Sequence, residues 1–210
     1  MENLIEEPAV AYASLFTLEE YLNMKWKNGT RYEFWNGELI EMEGATLNHN
    51  RVVSNMYLTI RKAISGKGKG CEVFILDVLL GIKNLNTYFL PDLVFTCEEN
   101  DLNEDRIIFN PNLIVEVLSD STELYDRTKK WEIYRRISSL RYYLLVSQKE
   151  YHIDLYQRPN EQSLFYFQSF EGAEATINFP DLGFEINLKD IYDGVRFEKK
   201  ESLANPNPIK

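Results

Sequence analysis

Apolar and polar positions alternate, recur at helical spacing or run together in different parts of this chain, and each pattern predicts an element. In "RYEFWNGELIEM", from Arg31 to Met42, two alternating runs flank Asn36-Gly37, the strongest short-range signal for a β-hairpin. Before it, Thr17 with Glu20 forms a capping box that opens a short helix through "LEEYLNMKWK". After it, Val52, Val53, Met56, Ile60 and Ile64 recur at helical spacing, which predicts an amphipathic helix over 49–65, closed by "GKGKG". "CEVFILDVLLGI" reads as one long strand or two shorter ones, and "PDLVF" as another. The acidic loop 98–106 leads into "NLIVEVL", a short apolar run of the kind buried on both sheet faces. Asp120 followed by Glu123 offers a helix start, and 123–138 is expected to be helical. "RYYLLVS" and "HIDLYQR" are strands joined by the polar turn Gln148-Lys149-Glu150, "SLFYFQSF" is a further strand, and "FPDLGFEINLKDIYDG" ends in a helical turn. This order predicts an α/β fold with a central mixed β-sheet flanked by helices, an N-terminal hairpin and extra C-terminal strands. Residues 1–14 are expected to form a flexible arm, 15–197 a single domain and 198–210 a disordered tail.

Composition narrows the class. The 210 residues, 44% of them hydrophobic, suffice for one domain with an ordinary core. Cys71 and Cys97 do not make a disulfide framework. "MENLIEEPAV" has no apolar h-region, so no secretory signal is visible, and no apolar run approaches membrane-spanning length. A soluble, cytoplasmic protein is the natural reading. A net charge of −10 speaks against a nucleic-acid partner, yet its distribution is uneven. Arg51, Arg61, Lys62, Lys67 and Lys69 form a run without acids. A second run, Arg127 to Arg141, has six basic residues against Glu132 alone. Each run alone reads as a solvated helix face.

The strand "NLIVEVL" poses the chemical question, because Glu116 stands in its apolar middle. An unpaired ionised carboxylate in a dry core protonates, finds a cation or binds a metal. Asp92 opens the strand "DLVF" and shares a face with Val94, as Glu116 does with Ile114 and Leu118. If the two strands are neighbours, both carboxylates converge, and a Mg²⁺ between them has the hardness that oxygen ligands suit. As apo like charges, at least one of the two should titrate high. Asp126, Lys130 and Tyr134 are spaced four apart on one helix face, so Lys130 can reach back toward the Glu116 strand. An ammonium there would orient an attacking water and offset phosphate charge.

At these residues the chain resembles the Uma-two family of putative restriction endonucleases, within the PD-(D/E)XK nuclease superfamily. The likeness rests on "YEFWNGELIEM", "NHNRVVSNMYLTI", "LPDLVF", "PNLIVEVLSDST" and "DRTKKWEIYRRISSLRYYLLV", and spans roughly residues 15–195. It implies a restriction-endonuclease-like core with the family's aspartate at Asp92, its glutamate at Glu116 and its helix-borne lysine at Lys130. The chain departs from the superfamily pattern in having Leu118, not lysine, two residues after Glu116. Helix 49–65 also lacks the usual acid, and Glu38 on the hairpin is the best substitute. His49 reads as a helix-start residue or a phosphate contact, and the resemblance favours the second; Arg127 is a further candidate substrate contact.

Taken singly, these residues have plainer readings: Glu116 in a salt bridge, Lys130 facing solvent, Asp92 capping a Pro-Asp turn. Together they point to a Mg²⁺-dependent endonuclease, with Mn²⁺ able to substitute. Asp92, Glu116 and the main-chain carbonyl of Val117 would hold the metal, and Lys130 would place the water. The substrate expected is DNA, with RNA left open, and a homodimer would suit double-strand cutting. The rival is a non-enzymatic nucleic-acid- or protein-binding module on a nuclease-type fold, and the net charge is its best support. Two histidines, His49 and His152, argue against a histidine zinc site. "GKGKG" lacks the Gly-Lys-Ser/Thr ending of a phosphate loop, and no G-x-S-x-G elbow occurs.

Overall fold

The capping box and the hairpin set the first elements of the computed structural model, which describes residues 15–25, 30–66 and 70–197. The arm 1–14, the tail 198–210 and most of "GKGKG" lie outside the described residues. Helix α1 (Leu18–Leu22) opens with the reciprocal Thr17/Glu20 cap. Strands β1 (Arg31–Trp35) and β2 (Glu38–Met42) pair antiparallel around Asn36-Gly37. Both turn residues have positive φ, 47° and 97°, as a primed two-residue turn requires. Helix α2 (Leu47–Ile64) follows, its Thr46 cap accepting from the His49 amide.

The ambiguous run 71–82 resolves into two strands that part company. Strand β3 (Glu72–Ile75) joins one sheet and β4 (Leu79–Ile82) another. Strand β5 (Thr87–Phe89), a piece too short for the alternation to reveal, pairs with β1 and β4. Then come β6 (Leu93–Thr96), a short α3 (Glu99–Leu102) inside the acidic loop, β7 (Ile107–Ile108) and β8 (Leu113–Leu118). The acidic loop is not all solvated: Asp101 is buried and accepts from the Phe109 and Asn110 amides at 3.0 and 2.8 Å. Helix α4 runs without a break through Glu123–Tyr125, a π-helical turn Asp126–Lys130, and Trp131–Tyr134. Strands β9 (Tyr142–Ser147), β10 (His152–Gln157), β11 (Tyr166–Glu171), β12 (Thr176–Phe179) and β13 (Phe184–Asn187) precede α5 (Leu188–Ile191).

Six strands form the central mixed sheet in the order β11-β10-β9-β8-β6-β3, with β8 and β9 parallel and the other pairs antiparallel. Its two faces bury different helices, because successive side chains on β8 point opposite ways. Leu113, Val115 and Val117 pack with Val52, Val53, Met56 and Ile60 of α2. Ile114 and Leu118 pack with Ile133 and Tyr134 of α4. Each such side chain stabilises the fold by roughly 1.5–3 kcal/mol on burial. The hairpin belongs to a second, five-stranded sheet of order β2-β1-β5-β4-β7, whose Leu80 and Phe89 join the core on the α4 side.

Three local expectations change. Helix α4 stops at Tyr134, not 138, since the buried Arg158 guanidinium donates to the Ile137, Ser138 and Leu140 carbonyls and so stabilises the turns beyond. Its start is set by Ser119, whose hydroxyl accepts from the Thr122 amide at 3.2 Å, while Asp120 is exposed and pairs with Lys149. Cys71 and Cys97 extend the β3–β6 register by one pair and are joined as a single disulfide. Among the described residues no helix is long and apolar enough to cross a membrane.

Candidate active site

Strands β6 and β8 are neighbours, with Leu93 opposite Val115. Continued by one residue, that register puts Asp92 opposite Glu116, at the end of the ladder. Alternation along β8 turns Glu116 toward α4, where it is 3% exposed. There its Oε1 accepts from Lys130 Nζ at 2.9 Å and from the Tyr134 hydroxyl at 2.8 Å. The same ammonium reaches Glu33 Oε1 at 3.1 Å and Asp126 Oδ1 at 3.3 Å. Glu33 comes from β1 and is fixed by the Leu90 amide, which donates to Oε1 at 3.0 Å. Asp92 Oδ2 accepts from the Val117 amide at 2.7 Å and meets His49 Nε2 at 3.1 Å.

Three carboxylates, of Glu33, Glu116 and Asp126, therefore surround one ammonium in a space nearly closed to water, with Asp92 beside them at the strand end. Burial drives the Glu116 pKa well above the ordinary carboxylate range; Lys130 opposes the rise, and Asp126, Asp92 and Glu33 add to it. Asp126 is raised likewise, burial first and Lys130 again opposing. For Lys130, burial disfavours the charge, but Glu116 and Glu33, with Tyr134 and Asp126, outweigh it and keep the ammonium protonated. One ammonium cannot balance the cluster: among the described residues the buried Asp126 Oδ1 has only the Lys130 ion pair at 3.3 Å and no further hydrogen bond.

That excess of hard oxygen donors suits a divalent cation. Among the described residues no three His, Cys, Asp or Glu side chains converge as a preformed metal cage. Mg²⁺ does not require one, since it commonly takes one or two carboxylates and completes its shell with water and substrate phosphate. Asp92 and Glu116, side by side at a strand end, match that donor count.

The chain matches the model of a protein family, Uma2, described as putative restriction endonuclease, over residues 18–189. It belongs to this family. Two uncharacterised proteins of Synechocystis sp. are similar over most of their length. The protein sll1609 is 33% identical over 172 residues, which is 81% of this chain and 96% of that one. The protein slr1290 is 31% identical over 179 residues, 85% of this chain and 92% of that one. Among solved structures, a putative nuclease belonging to DUF820 from Anabaena variabilis superposes with a TM-score of 0.69 at 15% identity, covering 85% of this chain and 98% of that chain. This likeness establishes the shared fold.

Within this family member the structure sorts the residues singled out from sequence. It brings Asp92, Glu116, Lys130 and His49 together. His49 is both a helix-start residue, through its amide, and the partner of Asp92, through its ring. Glu38 is not brought into the cluster: it is exposed on β2 opposite Trp35, and the carboxylates at Lys130 are Glu33, Glu116 and Asp126. The hairpin carboxylate at the site is Glu33, which is 2% exposed. Arg127 is also elsewhere, held by Glu123 at 2.8 Å and Asp154 at 2.7 Å in a network with His152 and Ser169. Asp126 and Tyr134 shared Lys130's helix face in the sequence, but nothing there gave them a role. Glu33 sits on the polar-looking alternation of "RYEFW", and only tertiary packing brings it against Lys130 of α4 and the Leu90 amide.

Proposed function

We propose that this protein is a metal-dependent nuclease that hydrolyses phosphodiester bonds in DNA, with Mg²⁺ or Mn²⁺ as its cation. The observation that carries the reading is the cluster of three carboxylates around the buried ammonium of Lys130, with Asp92 opposite Glu116 at the strand end. Asp92, Glu116 and the Val117 main-chain carbonyl would hold the cation. When bound, a divalent ion supplies charge for the phosphate and acidity for a water. The side chains do the rest. Lys130, presented by Glu33 and Asp126, orients the water and offsets charge on the phosphate oxygens. Tyr134 fixes Glu116, and His49 with the Val117 amide fixes Asp92. Cutting both strands of a duplex takes two such sites, hence a homodimer or two successive nicks.

The test is cleavage of plasmid and single-stranded substrates with Mg²⁺ or Mn²⁺, beside Asp92→Ala and Glu116→Ala and beside excess chelator. Cleavage is expected only in the wild type with metal; cleavage that survives chelator or Glu116→Ala would sink the mechanism. One observation favours a binding module instead: Lys130 already occupies the cation position among the carboxylates. A protein that neither cuts nor melts higher with Mn²⁺ is that module.

A further inference from the structure

A second polar recess adjoins the carboxylate cluster and contains neither Glu116 nor Lys130. It is a cavity of about 40 Å³ between the N-terminal turn of α2 and the β3–β4 connection, lined among others by Arg31, His49, Asn50, Leu76, Asp77 and Asp92. Its rim reaches solvent, for Leu76 is 58% exposed and the Asp77 side chain 62%. Three observations mark it as built for a ligand. Among the described residues His49 Nδ1 is buried without a hydrogen-bond partner, although Nε2 of the same ring is committed to Asp92. Arg31 is half-buried at the rim, and among the described residues its one ion pair is Nη1 to Asp77 Oδ1 at 3.3 Å. Leu76 and Asp77 are successive non-glycine residues with φ of 59° and 53°, a costly conformation that persists where surroundings or function require it.

We propose that this recess is a second phosphate subsite, which takes the phosphate next to the scissile one along the bound strand. The inference rests on the nuclease reading. A guanidinium, an imidazole and the N-terminal turn of the 18-residue α2 face it, the groups that bind phosphate elsewhere. Asp77 is the internal stand-in for that phosphate. It holds Arg31 in place when no strand is bound, and as an exposed ion pair it gives way readily. Asp92 is the one carboxylate shared with the cluster, and its oxygen Oδ2 is already engaged by His49 and the Val117 amide. A strand crossing the site would thus place one phosphate at Asp92 and Glu116 and its neighbour at Arg31 and His49.

The chain has only two histidines, so their ring signals in NMR spectra report directly. Titration of the full-length protein with inorganic phosphate, and then with a 5′-phosphorylated dinucleotide, should move the His49 signals saturably. The His152 signals, in the Arg127 network, should stay. Arg31→Gln should weaken dinucleotide binding roughly tenfold, the loss of one charge-assisted hydrogen bond. Asp77→Asn should strengthen it about threefold at low salt by releasing Arg31. Unmoved His49 signals, or wild-type affinity in both variants, would overturn the subsite. Binding with these variant effects but no cleavage of any substrate keeps the subsite and removes the nuclease reading. Cleavage with wild-type KM in both variants does the reverse.

Discussion

A lysine that is 3% exposed and touches three carboxylates is held by charge on every side. Removing one member of a buried ion pair strands the others, at a cost of roughly 3–5 kcal/mol. Lys130→Met should therefore lose about that much stability by urea unfolding of the metal-free protein, and also its turnover. Its neighbour Lys129 is exposed and lies over the Trp35 ring, 4.7 Å from the centroid. Lys129→Ala should lose less than about 1 kcal/mol and keep activity. Equal losses at the two positions would mean general phosphate attraction, with no special place for Lys130. Tyr134→Phe removes one hydrogen bond to Glu116 Oε1 and leaves that acceptor to Lys130 alone. It should cost roughly 1–3 kcal/mol, read from the same unfolding curves.

At the scale of elements, the hairpin and α4 each deliver a group that no other element could. Packing against α4 buries Glu33 beside Lys130, while Glu38 on β2 stays exposed. Glu33→Gln should lower the cleavage rate at least about tenfold, by weakening the charge that presents Lys130. Glu38→Gln should leave the rate unchanged; the opposite ranking would return the catalytic carboxylate to β2. The π turn Asp126–Lys130 winds wider than an α turn, so residues four apart lie more nearly in line. Thr128 sits inside it, its hydroxyl donating to the Leu124 carbonyl at 2.5 Å. Deleting Thr128 should restore an ordinary α turn, swing Lys130 out of the cluster and abolish cleavage while far-UV circular dichroism stays native. Retained activity in that deletion would show that the π turn does not place the lysine.

For the whole molecule, the buried carboxylates make stability depend on pH, and on metal if the proposed site binds one. Glu116 and Asp126 titrate above the ordinary range, with burial the main cause. In the unfolded chain they ionise near pH ~4. Between that pH and their folded values the native state binds more protons, so stability falls as pH rises through the window. Asp154 works the other way: hydrogen bonds from Ser169, Arg127 and His152 outweigh its burial and hold its pKa low, so its contribution is lost only in stronger acid. Metal-free protein should thus melt higher near pH ~5.5 than near pH ~8, and Glu116→Gln should flatten that slope. Saturating Mn²⁺ should raise the melting temperature most at the higher pH, where the carboxylates are charged. A wild-type slope of the opposite sign would mean that the cluster is neutral or neutralised at every pH.

The sequence by itself determined the elements and most of their order, because helix periodicity, strand alternation and turn chemistry are local. The Asn36-Gly37 hairpin, the stripe of α2 and the apolar run of β8 were all legible that way. It also isolated Glu116, since a carboxylate within an aliphatic strand needs an explanation that its neighbours do not give. What it could not contain was the partner list. Glu33 lies 83 residues before Glu116 in the chain (116 − 33), and nothing local distinguishes it from Glu38. Only the packing of the second sheet on the α4 side turned one hairpin carboxylate inward and left the other in water. Similarly, Arg127 and Lys130 look alike on a basic helix, yet the sheet row that offers Asp154 to one and Glu116 to the other sent them to different networks. Charge in a fold is paired by proximity in space, and tertiary packing alone decides which charges meet.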